Sequence, residues 1–367
     1  MGYCVLCIWA AARFASRARR SSAQVGDVQP VSILKPLKGT DPEMYESFRS
    51  HCLQDYPEYE ILFGISHAND PAAALVEKLQ HEFPGREIRL LLCEKNLGAN
   101  GKVSSLVQLA AAAKYGFILV NDSDIRVAPD YLRTVVAELQ APDTGLVTCL
   151  YRGVPANTIA SRLESLGVST DFVPGVLVAR QIEGGLHFGL GSTLALRRKH
   201  LEAIGGFEAI VDYLADDYEL GKRIADLGLE VELSNTTVDT VLPEYSFSGL
   251  FSHQLRWART IRASRPGGYA GLLITYTLPW AILCLVLARG ANWALALFSG
   301  AALLRLSMAL VTGVSALQDG NVVRSLWLLP IRDFLAMIVW VGGLVGKKIV
   351  WRGEEFYLEH GKMRRVK

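Results

Sequence analysis

Two aspartates, Asp122 and Asp124, lie one residue apart in the stretch FILVNDSDIR, directly after four apolar residues. In extended backbone, residues i and i+2 point to the same side, so both carboxylates can face one ligand. Carboxylates this close repel each other and need a positive partner. A divalent cation such as Mg²⁺ or Mn²⁺ would supply the charge, since Mg²⁺ typically takes one or two carboxylates plus substrate phosphates. The alternative is a strand-end turn, where Asn and Asp are common.

Further polar residues follow each of the three preceding apolar runs. Lys35 and Lys38 lie in KPLKGTDP and Lys102 lies in NLGANGKVSSL, where they offer positive charge suited to a nucleotide diphosphate. Asp70, in ISHANDP, can accept hydrogen bonds from a base or a ribose. It can equally cap the following helix together with Pro71.

A second acidic pair lies in DYLADDYELGKRIADLG, where Asp216 and Asp217 precede a helical pattern. One interpretation is an N-cap with an acidic first turn, which the helix dipole favours. The other makes Asp217 a general base at the mouth of the site. Both can hold if one aspartate caps the helix and its neighbour is catalytic.

The stretch GLFSHQLRWARTIRASRP (249–266) predicts a basic amphipathic helix that lies on a membrane surface. Arg256 and Trp257 lie within it. Because a guanidinium grips phosphate oxygens in a fork geometry, Arg256 is a candidate for holding a diphosphate leaving group.

The strands and helices that must position these residues recur at a regular spacing in the sequence. Apolar strand patterns begin at residues 31, 60, 88 and 116, with helical patterns between them and a fifth strand at 145–151. Continuous apolar strands alternating with helices predict a Rossmann-like, mostly parallel sheet in an α/β domain. Ligands of such sheets bind at the carboxyl ends of the strands, where the Asp122 pair and the basic loops should gather.

The C-terminal part predicts membrane helices. Three apolar segments, at 269–288, 291–313 and 325–346, are each long enough to supply the roughly 20 residues that span a bilayer. Arginines on the flanks of the middle region place that region in the cytoplasm by the positive-inside rule. Three full crossings would then put the basic tail on the far side, which conflicts with the same rule. The formal net charge of +2 and the lack of a run that interleaves basic and aromatic residues exclude nucleic acid as a partner.

These patterns predict five regions. They are an N-terminal membrane anchor with a basic flank that includes Arg19 and Arg20 (1–22), an α/β domain (30–248), an amphipathic interface helix (249–268), about three transmembrane helices (269–346) and a basic tail (347–367).

The ordered set of Asp70, the DSD at 122–124, the LADDY at 214–218 and HQLRW at 253–257, with membrane helices after it, resembles the GT-A glycosyltransferases. It most closely resembles the ceramide glucosyltransferase family, family 21, which KPLKGTDP, LADDYELG and PIRD also fit. The stretches FGLGSTLALRR and HQLRWARTIRASRP resemble bacterial relatives, including hopanoid-biosynthesis glycosyltransferases.

The resemblance implies a metal-dependent, inverting enzyme that moves a sugar from a UDP-sugar to a lipid hydroxyl. Asp70 would contact the uridine, Asp122 and Asp124 the metal–diphosphate, and Asp217 would be the base. Arg256 and Trp257 would shape the diphosphate and acceptor site. His253 stands where the family usually has Gln, and Thr170 lies near the position of a His in animal enzymes. The resemblance also implies a multi-pass membrane protein with a cytoplasmic catalytic domain, in a bacterial inner membrane.

Other functions share parts of this pattern. A processive polysaccharide synthase has the same acidic motifs but needs a channel for its growing chain. A polyprenyl-phosphate sugar transferase matches the HQLRW helix poorly. A catalytically silent membrane scaffold would not need the intact DSD and DDY, and a transporter would not need the large cytoplasmic domain. Arg305, Arg332 and Asp333 inside the apolar segments can mark a pathway, but pairing with each other or contact with a lipid headgroup explains them more simply.

Overall fold

The computed structural model describes residues 1–20 and 28–366, apart from the side chains of Arg19 and Arg20. The chain forms two compact units. The sheet unit comprises Arg20–Tyr151 and Glu183–Val241, and the helical unit comprises Met1–Arg19, Arg152–Ile182 and Leu242–Lys367. Part of the predicted basic flank, at 21–22, and the last residue of the predicted tail lie outside the described residues.

The sheet unit is built on a mixed β-sheet. Its strands are β1 (Val31–Leu37), β2 (Tyr59–Ile65), β3 (Glu87–Leu92), β4 (Phe117–Val120), β5 (Ile125–Arg126), β6 (Thr144–Val154), β7 (Leu194–Arg197) and β8 (Glu230–Val241). In the described part of the chain they lie in the order β3-β2-β1-β4-β7-β6-β8-β5.

In chain order, the α-helices are α1 (Gly2–Arg20), α2 (Met44–Cys52), α3 (Ala72–Glu82), α4 (Gly101–Ala112), α5 (Tyr131–Leu139), α6 (Ile159–Gly167), α7 (Val173–Ile182), α8 (Arg198–Ala203), α9 (Asp216–Asp226), α10 (Phe247–Ser264), α11 (Pro266–Gly271), α12 (Thr277–Leu287), α13 (Asn292–Leu310), α14 (Gly320–Ser325) and α15 (Leu329–Gly343). A π-helical segment, Val168–Phe172, joins α6 to α7.

The predicted parallel α/β repeat is confirmed for the first four strands. β1 pairs in parallel with β2 and β4, and β2 pairs in parallel with β3. The prediction of a mostly parallel sheet is wrong for the other half, because β7 pairs antiparallel with both β4 and β6 and β5 pairs antiparallel with β8. The carboxyl ends of β1, β2 and β4 therefore meet at one edge, and their loops carry Lys38, Asp70 and Asp122.

The helical unit holds the apolar segments. Helix α13 continues through a π-helical turn, so that the continuous helix Asn292–Ala316 has 25 residues. The segments Pro266–Thr275 and Thr277–Leu287 bend by 51° at their junction. Among the described residues, one helix is long and apolar enough to cross a membrane, or two if the bent pair forms a single span. Three full spans are therefore not confirmed.

The C-terminal residues form a small sheet where the sequence predicts a tail. Strands β9 (Lys348–Trp351), β10 (Glu354–Glu359) and β11 (Lys362–Arg365) pair antiparallel in the order β11-β10-β9. Ile349, Phe356, Leu358 and Met363 are buried, and charged residues alternate with them. The basic composition thus belongs to the exposed positions of a folded sheet.

Candidate functional site

Lys102 is the positive partner that the acidic pairs require. Its Nζ lies 2.8 Å from Oδ1 of Asp122 and 3.0 Å from Oδ2 of Asp216. Burial opposes the charge of Lys102, but Asp122, Asp216 and Asp217 outweigh it and raise the lysine pKa above its ordinary value. The structure thus brings the DSD and LADDY motifs together around one ammonium group.

Asp217 lies in the first turn of α9 and is held by two backbone donors. Gly191 N donates to its Oδ2 and Tyr218 N to its Oδ1, each at 2.8 Å. Burial and the neighbouring Asp216 carboxylate raise the pKa of Asp217 to about 6. The N-cap of α9 is Ala215, which makes no side-chain capping bond, so the expectation that one aspartate caps the helix is wrong.

Gly191 separates the two carboxylates that face it. A Cβ at this position would lie 2.9 Å from Oδ2 of Asp122 and 3.3 Å from Oδ2 of Asp217. Only a hydrogen fits here without displacing a side chain, so the absence of a side chain is what lets both carboxylates approach the same point.

Asp124, the second aspartate of the DSD pair, is partly buried. It accepts a hydrogen bond from Thr240 Oγ1 at 2.6 Å. Burial and repulsion from Asp122 raise the pKa of its carboxyl to about 6, so its negative charge is poorly compensated in the protein alone.

This charge and the hard oxygen donors of Asp122 and Asp124 fit a divalent cation. Among the described residues, no three His, Cys, Asp or Glu side chains form a ready-made metal site. The pair therefore suits a cation whose other ligands come from a substrate and from water.

The loop before α4 places Lys102 beside Asp216. Asn100 caps α4 by accepting from Val103 N at 3.2 Å, while its amide donates to the carbonyl of Tyr213 at 2.7 Å. Ala99 N also donates to Asp212 at 2.9 Å. These hydrogen bonds hold the loop before α4 against the segment that leads into the LADDY motif. They thereby fix the position of Lys102 relative to Asp122 and Asp216.

Buried polar side chains support the loop that carries Asp122. Lys35 is fully buried and its Nζ donates to the backbone carbonyl of Asp122 at 3.2 Å. Burial lowers the pKa of Lys35 to about 7, against the opposing effect of the Asp124 and Asp122 carboxylates. The side chain of Asn121 donates to the carbonyl of Ser192 at 2.7 Å, which links β4 to the residue after Gly191. This placement favours a supporting role for Lys35 over direct contact with a diphosphate.

Asp70 ties together the loops that follow β1 and β2. Its carboxylate accepts from Gly39 N at 3.0 Å and from Ala72 N at 2.9 Å. The second bond ties Asp70 to the first residue of α3, but the N-cap of this helix is Pro71, so the predicted cap at Asp70 is not confirmed. Gly39 has φ +70°, a conformation that favours glycine, and neighbouring Lys38 is exposed at this edge. Contact of Asp70 or Lys38 with a nucleotide stays a prediction.

Arg256 and Trp257 belong to the helical unit. Arg256 Nη2 lies 3.2 Å from His253 Nδ1, and the Trp257 ring lies 5.3 Å from that of His253, centroid to centroid. His253 Nε2 in turn lies 3.5 Å from Glu164 Oε1. The histidine that replaces the usual glutamine is thus part of a Glu164–His253–Arg256 chain, and the phosphate-binding role of Arg256 stays a prediction.

The charged residues of the apolar segments are paired, as expected. Arg305 Nη2 lies 2.6 Å from Asp333 Oδ1. Arg332, however, pairs with Asp171, its Nε lying 2.7 Å from Oδ2.

Several of these supporting residues were not predicted from the sequence. Asn100 carried a readable signal, since an Asn directly before a helical pattern is a typical N-cap. Gly191 and Asn121 carried none, because their roles depend on strands that meet only in the folded chain.

The chain resembles known proteins over most of its length. The family model for glycosyl transferase family 21 matches residues 1–364. Ceramide glucosyltransferase 1 of Caenorhabditis elegans is 24% identical over 344 residues, which are 90% of this chain and 72% of that protein. Ceramide glucosyltransferase of Komagataella phaffii is 35% identical over 126 residues, 33% of this chain and 25% of that protein.

Among solved structures, the mannosyltransferase PcManGT from Pyrobaculum calidifontis, in complex with GDP-Man and Mn²⁺, superposes with a TM-score of 0.52. It is 19% identical, and the match covers 92% of this chain and 99% of that one. At this identity the likeness concerns the fold, which is that of a glycosyltransferase.

Proposed function

Because the chain belongs to glycosyl transferase family 21, we propose that it transfers glucose or N-acetylglucosamine from a UDP-sugar to the hydroxyl of a membrane lipid such as ceramide or a hopanoid. The ceramide glucosyltransferases among its relatives support the lipid acceptor. The observation that carries the proposal is the cluster in the sheet unit, where Lys102 joins Asp122 to Asp216 and Gly191 fixes Asp217.

The donor would bind at the Asp122 edge. Asp122 and Asp124 would hold Mg²⁺ or Mn²⁺, which when bound supplies positive charge against the departing nucleotide diphosphate. The complex of PcManGT with GDP-Man and Mn²⁺ supports such a cation. Lys102, fixed by two carboxylates, adds a permanent positive charge to the same edge, and Asp70 would contact the uridine.

Asp217 would act as the general base. The lipid hydroxyl would give its proton to the Asp217 carboxylate while its oxygen bonds to the anomeric carbon and the bond to the diphosphate breaks. The two N–H donors fix the orientation of the carboxylate, and its raised pKa brings it closer to the operating pH. Such assistance is worth roughly 10²–10⁴ in rate. A single displacement inverts the anomeric centre and passes through an oxocarbenium-like transition state.

Arg256 and Trp257 would keep the phosphate-binding and acceptor-shaping roles that the family resemblance implies, with His253 in the place of the usual glutamine. The side chain of His253 bonds the Arg256 guanidinium, so it can orient that group toward a phosphate. This arrangement supports retention of the Arg256 role despite the departure from the family pattern.

The helical unit would lie in and on the cytoplasmic face of a membrane. Large apolar side chains on α12, α13 and α15 are exposed, among them Leu287, Leu303 and Ile338, which is typical of a surface that lipid covers. The fifteen residues of α15 extend about 22 Å, short of the roughly 30 Å hydrocarbon core.

The membrane topology can be inferred from contacts of the basic helix α10. Arg259 donates to the carbonyls of Val345 and Lys348, and Arg262 donates to that of Gly346. Groups in contact lie on one side of a bilayer, so an even number of crossings separates α10 from the C-terminal sheet. The bent pair and Asn292–Ala316 would provide two crossings and α15 none, which removes the conflict with the positive-inside rule.

The test is a transfer assay with purified protein in detergent, offering radiolabelled UDP-glucose and UDP-N-acetylglucosamine with ceramide and hopanoid acceptors. We expect a glycolipid carrying one sugar, formed only with Mg²⁺ or Mn²⁺. A ladder of longer products would favour a processive synthase. Lack of any UDP-sugar binding with metal present would leave the DSD as a turn and favour a silent scaffold.

A further inference from the structure

The helical unit buries a network of charged side chains centred on Asp171. The carboxylate of Asp171, in the π-helical segment Val168–Phe172, accepts from Arg305 Nη2 and from Arg332 Nε, each at 2.7 Å. The side chains of Arg305, Arg332 and Asp333 are 3%, 7% and 4% exposed, whereas that of Asp171 is 27% exposed. Asp171 is therefore where this buried network reaches an accessible surface.

Arg332 retains an unmet hydrogen-bonding group in this network. Its Nη2 donates to Gln254 Oε1 at 3.2 Å, but its Nη1 is buried and has no hydrogen-bond partner among the residues that the structure describes. A buried donor left unsatisfied costs about 1–3 kcal/mol, more when the group is charged. One face of the guanidinium is closed, since a Cβ on Gly167 would lie 2.3 Å from Arg332 Cζ. Native proteins rarely leave such a group unpaired without a ligand or water for it.

The charges of the network indicate what kind of ligand it would accept. Two guanidinium groups, of Arg305 and Arg332, face two carboxylates, of Asp171 and Asp333, and Glu164 adds a third carboxylate through Gln254. With no surplus of positive charge, the network offers little attraction to a phosphate. A hydroxyl that donates to Asp171 and an oxygen that accepts from Arg332 Nη1 would satisfy it.

We propose that Asp171 and Arg332 form a binding site for the uncharged, hydroxyl-bearing headgroup of a membrane lipid. The Asp171 carboxylate accepts from a headgroup hydroxyl, and Arg332 Nη1 donates to a neighbouring carbonyl or hydroxyl oxygen. The identification of this lipid as the sugar acceptor rests on the proposed function. Ceramide and diacylglycerol both carry this chemistry, whereas a polyprenyl phosphate does not.

The test measures lipid binding without catalysis. The full chain, in nanodiscs of phosphatidylcholine, is titrated with a photoactivatable ceramide or diacylglycerol, and the labelled fraction is measured for wild type and D171N. The matched control is D319N. Asp319 is a buried carboxylate of the same unit that accepts from Ser169 Oγ at 2.7 Å and from Asn321 N at 2.9 Å.

Loss of one hydrogen bond to a charged group predicts about a 10-fold rise in the half-saturating lipid concentration for D171N. For D319N the change should stay within about twofold. Equal effects of the two variants, or displacement of the ceramide probe by polyprenyl phosphate more readily than by unlabelled ceramide, would overturn the proposal.

Wild-type protein supplies an independent measurement if D171N does not fold. Digestion after arginine yields a peptide covering 163–180, and the cross-link should map to it or to the peptide that contains residue 332. Labels found elsewhere contradict the site. Calorimetric titration with UDP-glucose and Mn²⁺ separates the two claims: a chain that binds lipid through Asp171 but no nucleotide would refute the proposed function and leave the lipid site standing.

Discussion

Replacement of Gly191 by alanine perturbs the candidate site without removing any functional group. The added Cβ would lie 2.9 Å from Oδ2 of Asp122 and 3.3 Å from Oδ2 of Asp217. The nearer carboxylate must move, and the Asp122 side chain is 43% exposed, so it can swing toward solvent. The cost in folding free energy should therefore lie below the ~1–3 kcal/mol of overpacking a closed core.

Activity should respond far more strongly than stability to this change. A misplacement of about 1 Å in a catalytic site can cost on the order of 100-fold in rate. We expect G191A to lose about that factor in kcat/KM for glycolipid formation, with a melting temperature within a few degrees of wild type.

The matched control is G185A. Gly185 belongs to the same unit, and no atom of the described residues lies within 4 Å of a Cβ placed there, so the activity and melting temperature of G185A should match wild type. If G191A transfers sugar at the wild-type rate, or loses activity only in proportion to unfolding, the proposed meeting of Asp122 and Asp217 at Gly191 is refuted.

Three further predictions follow from the charges and contacts. Because the pKa of Asp217 is raised to about 6 from roughly 4 in the unfolded chain, the folded protein binds more protons between these values. In EDTA, the contribution of Asp217 to the free energy of unfolding should therefore fall as pH rises from 4 through 6. Metal-dependent sugar transfer should rise over the same range. Unfolding and activity assays that change in the same direction with pH would contradict this. K102M should weaken UDP-sugar binding at least 10-fold, as measured by calorimetry, and unchanged binding would exclude a role of Lys102 at the diphosphate. Denaturant titration should show a loss of ~2 kcal/mol in folding free energy. This is less than the 3–5 kcal/mol of breaking a fully buried pair, because Lys102 is 17% exposed. A protease-sensitive tag fused to the C-terminus, after the C-terminal sheet, should be cleaved in inside-out membrane vesicles and protected in right-side-out ones. The reverse pattern would indicate an odd number of membrane crossings between α10 and the sheet.

Local patterns were sufficient to predict the first half of the sheet. The runs VSILKP and EILFGI are buried along almost their whole length, and burial on both faces is what a continuous apolar run in a parallel sheet indicates. β7 has only four residues and follows a long connection that contains α6 and α7. Neither its position in the sheet nor its antiparallel direction could therefore be inferred from hydrophobic periodicity.

The candidate site was predicted by residue type but not by pairing. Asp122 and Asp217 were recognisable because each belongs to a pair of neighbouring aspartates, whose mutual repulsion requires a positive partner. The Lys102–Asp216 ion pair joins residues 114 positions apart (216 − 102), and such a contact depends on how Asn100 docks the loop. The C-terminal sheet was missed although its alternation of buried Ile349 and Phe356 with exposed charges is readable, because the basic composition suggested a tail.

The most direct test of Asp217 as the general base compares wild type with D217N. Glycolipid formation is measured with radiolabelled UDP-sugar, lipid acceptor and Mn²⁺, and nucleotide binding is measured on the same samples. The carboxamide can still accept from one backbone N–H but cannot take up the acceptor proton. We predict that D217N binds UDP-sugar with wild-type affinity and forms glycolipid at least about 100-fold more slowly, in line with loss of a general base. Glycolipid formation by D217N at the wild-type rate would contradict the assignment of Asp217 and the mechanism built on it.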